Sequence, residues 1–482
     1  MKIAGLWFMT MIWWLVLSGH APGQEVIQPE HCVNWPEGSM IQPVIQPVHL
    51  EDIWKNAMVF HPKIRIAQID MEIRQTVLES SQALFLPKID VEGQWERQEV
   101  NLDHPQWSGS DLDGYKTTWS GIAQWNVYAG GGDIAERKNA WTGLEESRHG
   151  SIEQTTNAIL EILERYGNLL MLWKTLEHEQ LELKRAQGQL ERVDASLKQG
   201  IGTRQELNNL LYEISRTRER LNDAQNSLFE TSDTLSMLIG QPVATRHLFY
   251  PRESHLPEME ILPEMDWNEA ILNHPRMRAA VMRTRQAELA IQQARAPFFP
   301  RVDLQFRETW QGFAPNAPED SIEANEPYLR SYSIVLRQSL FSGNQDQGAL
   351  RSAILNHQKT KVEENLVSQG LKQEIMAVLH SLRIYQNTLA TQNSARRQAE
   401  HTLRLHTALL ERGQGTRNDV NEAESRIAQI NLEHYKLEIQ YRMLLWKALS
   451  YARGEQFPDV FERETVMNPA NRNSDCDEYL TN

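Results

Sequence analysis

"QGIGTRQELN" fills residues 199–208, and "RGQGTRNDVN" fills residues 412–421, 213 positions later. Each decapeptide interrupts a charged, apolar-periodic stretch with two glycines and then sets Thr-Arg before an acid. Such a stretch could be a catalytic loop, a phosphate cradle or a turn. The offset decides, because it extends far beyond the decapeptides. Trp54, Ala57, His61-Pro62, Arg65, Ala67, Ala83, Phe85, Pro87 and Asp90 recur as Trp267, Ala270, His274-Pro275, Arg278, Ala280, Ala296, Phe298, Pro300 and Asp303. "VYAG" (127–130) recurs as "LFSG" (340–343), with no gap anywhere. The chain is therefore read as two copies of one supersecondary unit. Repeat 1 covers 49–241 and repeat 2 covers 264–456. A Pro-rich segment (24–48) precedes them, a connector (242–263) joins them and a polar C-terminal tail (457–482) follows.

Each copy has the same order. A helix opens after Pro62 or Pro275, where proline suits the first turn. It stops by Pro87 or Pro300, which cannot continue it. Period-two alternation follows. Ile89, Val91, Gly93 and Trp95 share one face; Lys88, Asp90, Glu92 and Gln94 share the other. Tyr115, Trp119, Ala123, Trp125 and Val127 alternate in the same way, as do Val302, Leu304 and Phe306, then Tyr332, Ile334 and Leu336. These are predicted as half-buried strands, four per chain. After "AGGG" and "FSGN" the period changes. Residues 133–198 and 345–411 lack proline. Their apolar positions step by four and three: Ile159, Leu163, Tyr166, Leu170 and Trp173, then Leu371, Ile375, Val378, Leu382, Tyr385 and Leu389. That is a coiled-coil seam, on helices about 100 Å long. Return helices are predicted over 204–238 and 417–450. At the turns, Gly200 and Gly413 end one helix, while Glu206 and Asp419 start the next, where acids favour the dipole.

The composition bounds function. Of 482 residues, 40% are apolar and 23% charged, as in a folded chain. A net charge of −15 argues against a duplex nucleic-acid partner. Met1-Lys2, the apolar run Leu6–Leu17 and the small residues after it read as a signal peptide over 1–23. No other segment is apolar enough to span a bilayer as a helix, so any membrane passage is by strands. Four strands cannot close a barrel, and open edges are excluded from lipid. Three copies would supply twelve. Cys32 and Cys476 leave a disulfide open. Neither "AGGGD" nor "GIGTR" has the spacing or context of a phosphate loop. His61 and His274 each precede a helix-starting proline and read as boundary residues rather than ligands. No catalytic triad, carboxylate pair or metal spacing stands out, so the expectation is a non-enzyme without cofactor or metal.

Several features together carry a resemblance: the duplicated "A-x-x-x-H-P" (57–62, 270–275), "LFLP" and "PFFP", the "VYAGGG" and "LFSGN" turns, and the Gly-x-x-x-x-x-acid tips. The chain resembles the TolC-like outer membrane efflux protein family over nearly all of the part that follows the signal. The family more often has Asn where His61 and His274 stand. The resemblance implies a mainly α fold with membrane β: tandem long α-helical hairpins plus four strands per chain. It further implies a homotrimer with a 12-stranded β-barrel in Gram-negative outer membrane lipid, continued by a periplasmic α-helical barrel. As partners it implies a periplasmic adaptor and an inner-membrane transporter of RND or ABC type, in tripartite efflux or type I secretion. The hairpin turns become periplasmic tips, and Gly200, Arg204, Glu206, Gly413, Arg417 and Asp419 become gate candidates. The competing expectation is a periplasmic coiled-coil adaptor or scaffold without a pore.

Overall fold

The computed structural model describes residues 43–100, 112–241, 247–257, 266–314 and 328–466. The signal peptide, Cys32, Cys476 and much of the connector lie outside them. In chain order the elements are β1 (Val44–Val48), α1 (Leu50–Phe60), α2 (Pro62–Gln82), β2 (Lys88–Val100), β3 (Leu112–Ala129), α3 (Gly132–Lys198), α4 (Arg204–Leu238) and β4 (His247–Pro251). Then come α5 (Trp267–Asn273), α6 (Pro275–Arg295), β5 (Arg301–Ala314), β6 (Leu329–Arg337), α7 (Gln345–Glu411), α8 (Arg417–Arg453) and α9 (Phe457–Val466). Apart from α9, the second half repeats the order of the first after β1.

Proline sets the two junctions of each half. Pro62 and Pro275 open α2 and α6 at the first helical position. The residue before each is held extended, as pre-proline residues are, so His61 and His274 break the chain between α1 and α2 and between α5 and α6. Both helices tighten into a 3-10 turn, over 83–85 and 296–298, and stop at Leu86-Pro87 and Phe299-Pro300, where the amide needed to continue is missing.

α3 and α7 are each 67 residues long. α3 lies at the centre of the chain's packing, against α2, α6, α4 and α8. Its two adjacent apolar rows are buried: Ile159, Leu163, Tyr166 and Leu170, and Ile162 and Leu169. They join Trp54, Leu228, Phe249, Trp446, Phe457 and Phe461 in the largest core cluster. α7 meets α6 and α8, through Leu371, Ile375, Val378 and Leu382.

Two short segments correct the sequence reading. The polar C-terminal tail (457–482) is not polar throughout. Residues 457–466 form α9, whose Phe457 and Phe461, four apart on one helical face, are fully buried. Phe461 meets Trp54 and Trp446 edge-on at 5.4 and 5.3 Å, a favoured ring geometry. The Pro-rich segment and the connector also hold structure: β1 and β4 pair in parallel from Val44↔His247 to Val48↔Pro251, and β4 lies on α3 and α4. Glu253, just past β4, accepts from the Leu50 amide and pairs with His49 at 3.0 Å, and it accepts from the buried Tyr166 hydroxyl. This carboxylate fastens the strap to α3.

The remaining four strands make one antiparallel sheet, β2-β3-β5-β6. The sequence predicts half-buried strands, apolar on one face and polar on the other. The apolar face points away from the chain: Ile89 and Val91 are 74% exposed, Tyr332 76% and Ile334 75%. Several buried residues of the sheet's other face are polar, among them Ser120, Asp303 and Thr309. Alternation shows which residues share a face, but not which solvent that face meets.

Candidate functional site: the hairpin tips and the sheet

At each tip the helix ends by reversing handedness. Gly200 and Gly413 have φ of +76° and +71°, a conformation that a side chain disfavours. Gly200 N–H donates to Leu197 O at 3.0 Å and Ile201 N–H to Ser196 O at 3.0 Å. The second tip repeats this with Gly413 N–H to Leu410 O at 3.0 Å and Gln414 N–H to Leu409 O at 2.9 Å. The return helix then begins with a reciprocal cap. Thr203 Oγ1 accepts from Glu206 N–H at 3.3 Å, and Glu206 accepts from Thr203 N–H at 3.4 Å. Thr416 Oγ1 accepts from Asp419 N–H at 3.2 Å, while Asp419 accepts from Thr416 N–H at 3.0 Å and from its hydroxyl at 2.7 Å. The Thr416 hydroxyl, its amide and the more distant His406 hold the Asp419 carboxyl below its usual range.

The two acids are therefore already engaged as caps. Arg204 and Arg417 are exposed. No ion pair among the described residues joins either arginine to a carboxylate within the chain.

His61 and His274 are caps of a different kind. Each imidazole Nδ1 accepts the amide two residues on, Lys63 N–H and Arg276 N–H, both at 3.2 Å. A protonated ring has no lone pair there. Burial lowers both pKa values, that of His274 to about 4 with Arg276 adding to the shift. The cations two residues on are paired in both repeats: Lys63–Glu161 at 2.6 Å and Arg276–Glu374 at 3.0 Å, related by the same offset of 213. Sequence reasoning placed the histidines at boundaries and missed these pairs. The offset was the signal that could have found them.

A second polar cluster lies where sheet meets helices. Register places Asn126 opposite Asp303. Asn126 donates to Asp133, Arg301 pairs with Asp303 at 3.0 Å, and Arg337 stands 4.0 Å from the same carboxylate. Burial raises the Asp133 pKa. Asp133, Glu136, Arg74, Arg301 and Arg337 line a cavity of about 810 Å³. On the sheet's outer face, Trp119 pairs with Trp310 in register, and Phe306 contacts Tyr332 at 5.0 Å. Among the described residues no helix is long and apolar enough to cross a membrane, and no group of three or more His, Cys, Asp or Glu could hold a metal ion.

Long paired hairpins beneath a small sheet that is apolar outside and polar inside have known counterparts. Residues 267–443 match the family model described as outer membrane efflux protein. No curated protein matches the chain. Solved structures share its fold. The outer membrane protein VceC of Vibrio cholerae is 19% identical, with a TM-score of 0.68 over 84% of this chain and 96% of that one. The CmeC outer membrane channel of Campylobacter jejuni is 14% identical, with a TM-score of 0.71 over 86% and 89%. The open MtrE outer membrane channel of Neisseria gonorrhoeae is 19% identical, with a TM-score of 0.69 over 83% and 88%. The matched stretch runs from α5 to most of α8, so it takes in the second tip, with Gly413, Arg417 and Asp419, and the β5–β6 hairpin.

Proposed function

We propose that the chain is one third of a passive export duct in the Gram-negative outer membrane. One observation carries this reading. A four-stranded sheet has an outward apolar face and two unpaired edges, β2 and β6, at opposite sides. Unpaired edges are not stable in lipid. Three copies joined β6 to β2 make twelve strands with no edge, and the helical hairpins continue the barrel as a periplasmic tube. The helices carry the same sign of incompleteness. Ile66, Ile69, Ile73 and Val77 form an exposed stripe on α2, and Leu355, Val362 and Leu366 form one on α7. Each is the row a neighbour would cover.

In this duct the tips form the entrance. Three-fold repetition turns Glu206 and Asp419 into acidic rings, and Arg204 and Arg417, which pair with no acid among the described residues, can reach acids of the adjacent copy. The entrance opens on a periplasmic adaptor and an RND or ABC transporter, which supplies the energy and selects the cargo, in efflux or type I secretion. Purified protein should run as a heat-sensitive trimer, partition with outer membranes and conduct in planar bilayers. A monomer found in the periplasmic fraction would sink the reading and favour the pore-free scaffold.

A further inference from the structure

We propose that the two His-Pro corners are proton-released joints. The neutral histidine holds each return helix in line with the helix beyond the corner, and proton uptake frees the tips to part. This rests on the duct reading, in which the tips form the entrance.

Each corner is where a tip hairpin meets the helix that leads to the sheet. α4 ends at Leu238, and Gly240 just beyond it has φ of +70°. A Cβ at Gly240 would lie 2.5 Å from Phe60 Cβ, one residue before His61. In the second repeat α8 ends at Arg453, and Gly454 has φ of +52°. A Cβ there would lie 3.0 Å from Asn273 O, again one residue before the histidine. Both return helices therefore abut a corner with no room for a side chain. α3 and α7 run past the corners unbroken. A tilt of α4 against α2, or of α8 against α6, is thus taken up at the His-Pro step, as hinges are at element ends.

Two fasteners hold each corner. The first is the histidine cap on the amide two residues on, Lys63 N–H or Arg276 N–H. The second is the cation of that same residue, which ties the corner to a long helix: Lys63 to Glu161 of α3, Arg276 to Glu374 of α7. Both depend on a neutral ring. While Nδ1 accepts, the ring proton sits on Nε2. In His61 that atom is buried without a hydrogen-bond partner among the described residues, and Glu161 Oε2 stands 3.9 Å away. A second proton removes the Nδ1 lone pair and sets two N–H groups against each other. It also puts a cation beside Lys63 that competes for Glu161. At His274 the facing groups are Arg276 on its own helix, Glu374 of α7 and Tyr451 of α8, whose ring is 5.6 Å away and whose hydroxyl donates to Glu374 at 3.1 Å. One turn on, Arg278 pairs with Glu455 at 2.9 Å, and Glu455 is 2.6 Å from Nδ1 of His149 on α3. An imidazolium at position 274 therefore meets a cation and a carboxylate that is already shared.

The residue type fits a titrating role. Asn, Ser and Thr are preferred caps and hold an amide at any pH; Thr203 and Thr416 do so at the tips. Both corners instead carry the side chain that titrates nearest neutrality. Burial holds each ring below its ordinary pKa while it caps. The released corner takes up the proton more readily, so acid shifts the balance toward it. Three copies carry six such corners.

Trimers in planar bilayers test the joints. From about pH 7 to about pH 4.5, wild-type conductance should rise about threefold. His61→Asn with His274→Asn should keep the neutral-pH conductance throughout, because its caps do not titrate. His61→Ala with His274→Ala should give the raised conductance throughout, because its caps are gone. Caps with only a structural role would leave the wild type and the Asn pair alike at every pH. Hydrogen exchange at the Lys63 and Arg276 amides, corrected for intrinsic rates, reads the corner itself. It should quicken in acid in the wild type and not in the Asn pair. An equal acid response of conductance in both assigns it to the tip carboxylates and overturns the joints. Faster exchange without a change in conductance also overturns them and leaves the duct standing. Wild-type trimers that conduct at no pH overturn the duct reading itself.

Discussion

α3 and α7 have equal lengths and equivalent places in their repeats, yet α3 buries seventeen of its residues and α7 five. Part of the difference is written in side chains. Ile159 and Leu170 of α3, which belong to the same core cluster as Val48, Leu248 and Phe249 of the β1–β4 strap, correspond to Lys372 and Arg383 of α7. The rest is position. α3 is flanked on both sides by its own chain, while α7 carries an apolar row that no described residue covers. Duplication gave two similar helices, and among the described residues only the first is enclosed. The incompleteness lies in packing rather than in helix formation.

The comparison is broken most strongly at paired positions. Leu163 of α3 is 1% exposed, whereas its counterpart Met376 is 59% exposed. Leu163→Ala should cost about 2–5 kcal/mol, seen as a lower unfolding temperature in detergent. Met376→Ala should cost about 0.5 kcal/mol or less. Equal losses would mean that another surface covers Met376.

A pH titration probes the two halves at their hinges. His61 and His274 cap as neutral rings, and their folded pKa values lie below that of an unfolded histidine. Above about pH 6.5 both states are neutral and nothing is lost. As pH falls toward the His274 value of about 4, only the unfolded chain takes up the proton, so stability declines through that window. The loss for His274 is on the order of 2–3 kcal/mol. His274→Asn keeps an acceptor that does not titrate and should flatten the profile more than His61→Asn does. An unchanged profile in both would assign the acid sensitivity to carboxylates.

The α7 row gives a smaller effect on the folding of the single chain. Val362→Asp should leave the far-UV helical signal intact while depleting the heat-sensitive oligomer several-fold, since a charge opposite an apolar stripe costs about 1–3 kcal/mol at each seam. The same substitution of an α3 seam residue such as Ile162 should lose the helical signal as well.

The long elements were legible because their signals are local and doubled. Proline at 62 and 275, glycine at 200 and 413 and a sustained apolar period bounded α3 and α7 to within a residue. β1, β4 and α9 were not legible. "VIQPV" carries proline and no alternation, and it is a strand because it pairs with β4. Phe457 and Phe461 are one helical turn apart in a stretch too short to show a period. The cluster of Asn126, Asp133, Arg301 and Asp303 depends on strand register, which alternation does not supply.

The smallest effects belong to the tips, where structural and gating roles can be separated. Thr416→Ala removes the acceptor for the Asp419 amide and should cost about 1 kcal/mol. It leaves the ring charge in place, so conductance and cation block in planar bilayers should hold. Asp419→Asn reverses the pattern: an amide oxygen can still accept from Thr416 N–H, but the charge is gone. If Asp419 lines the entrance, cation block weakens in Asp419→Asn with little change in stability. Arg417→Ala should follow Asp419→Asn only where the arginine reaches an acid of the adjacent copy, because it has no acidic partner among the described residues. Glu206 is held less tightly, at 3.3–3.4 Å against 2.7–3.2 Å for Asp419, so Thr203→Ala should cost less than Thr416→Ala. If both threonine variants alter conductance as much as Asp419→Asn does, the tip acids act through helix geometry and not through their charge.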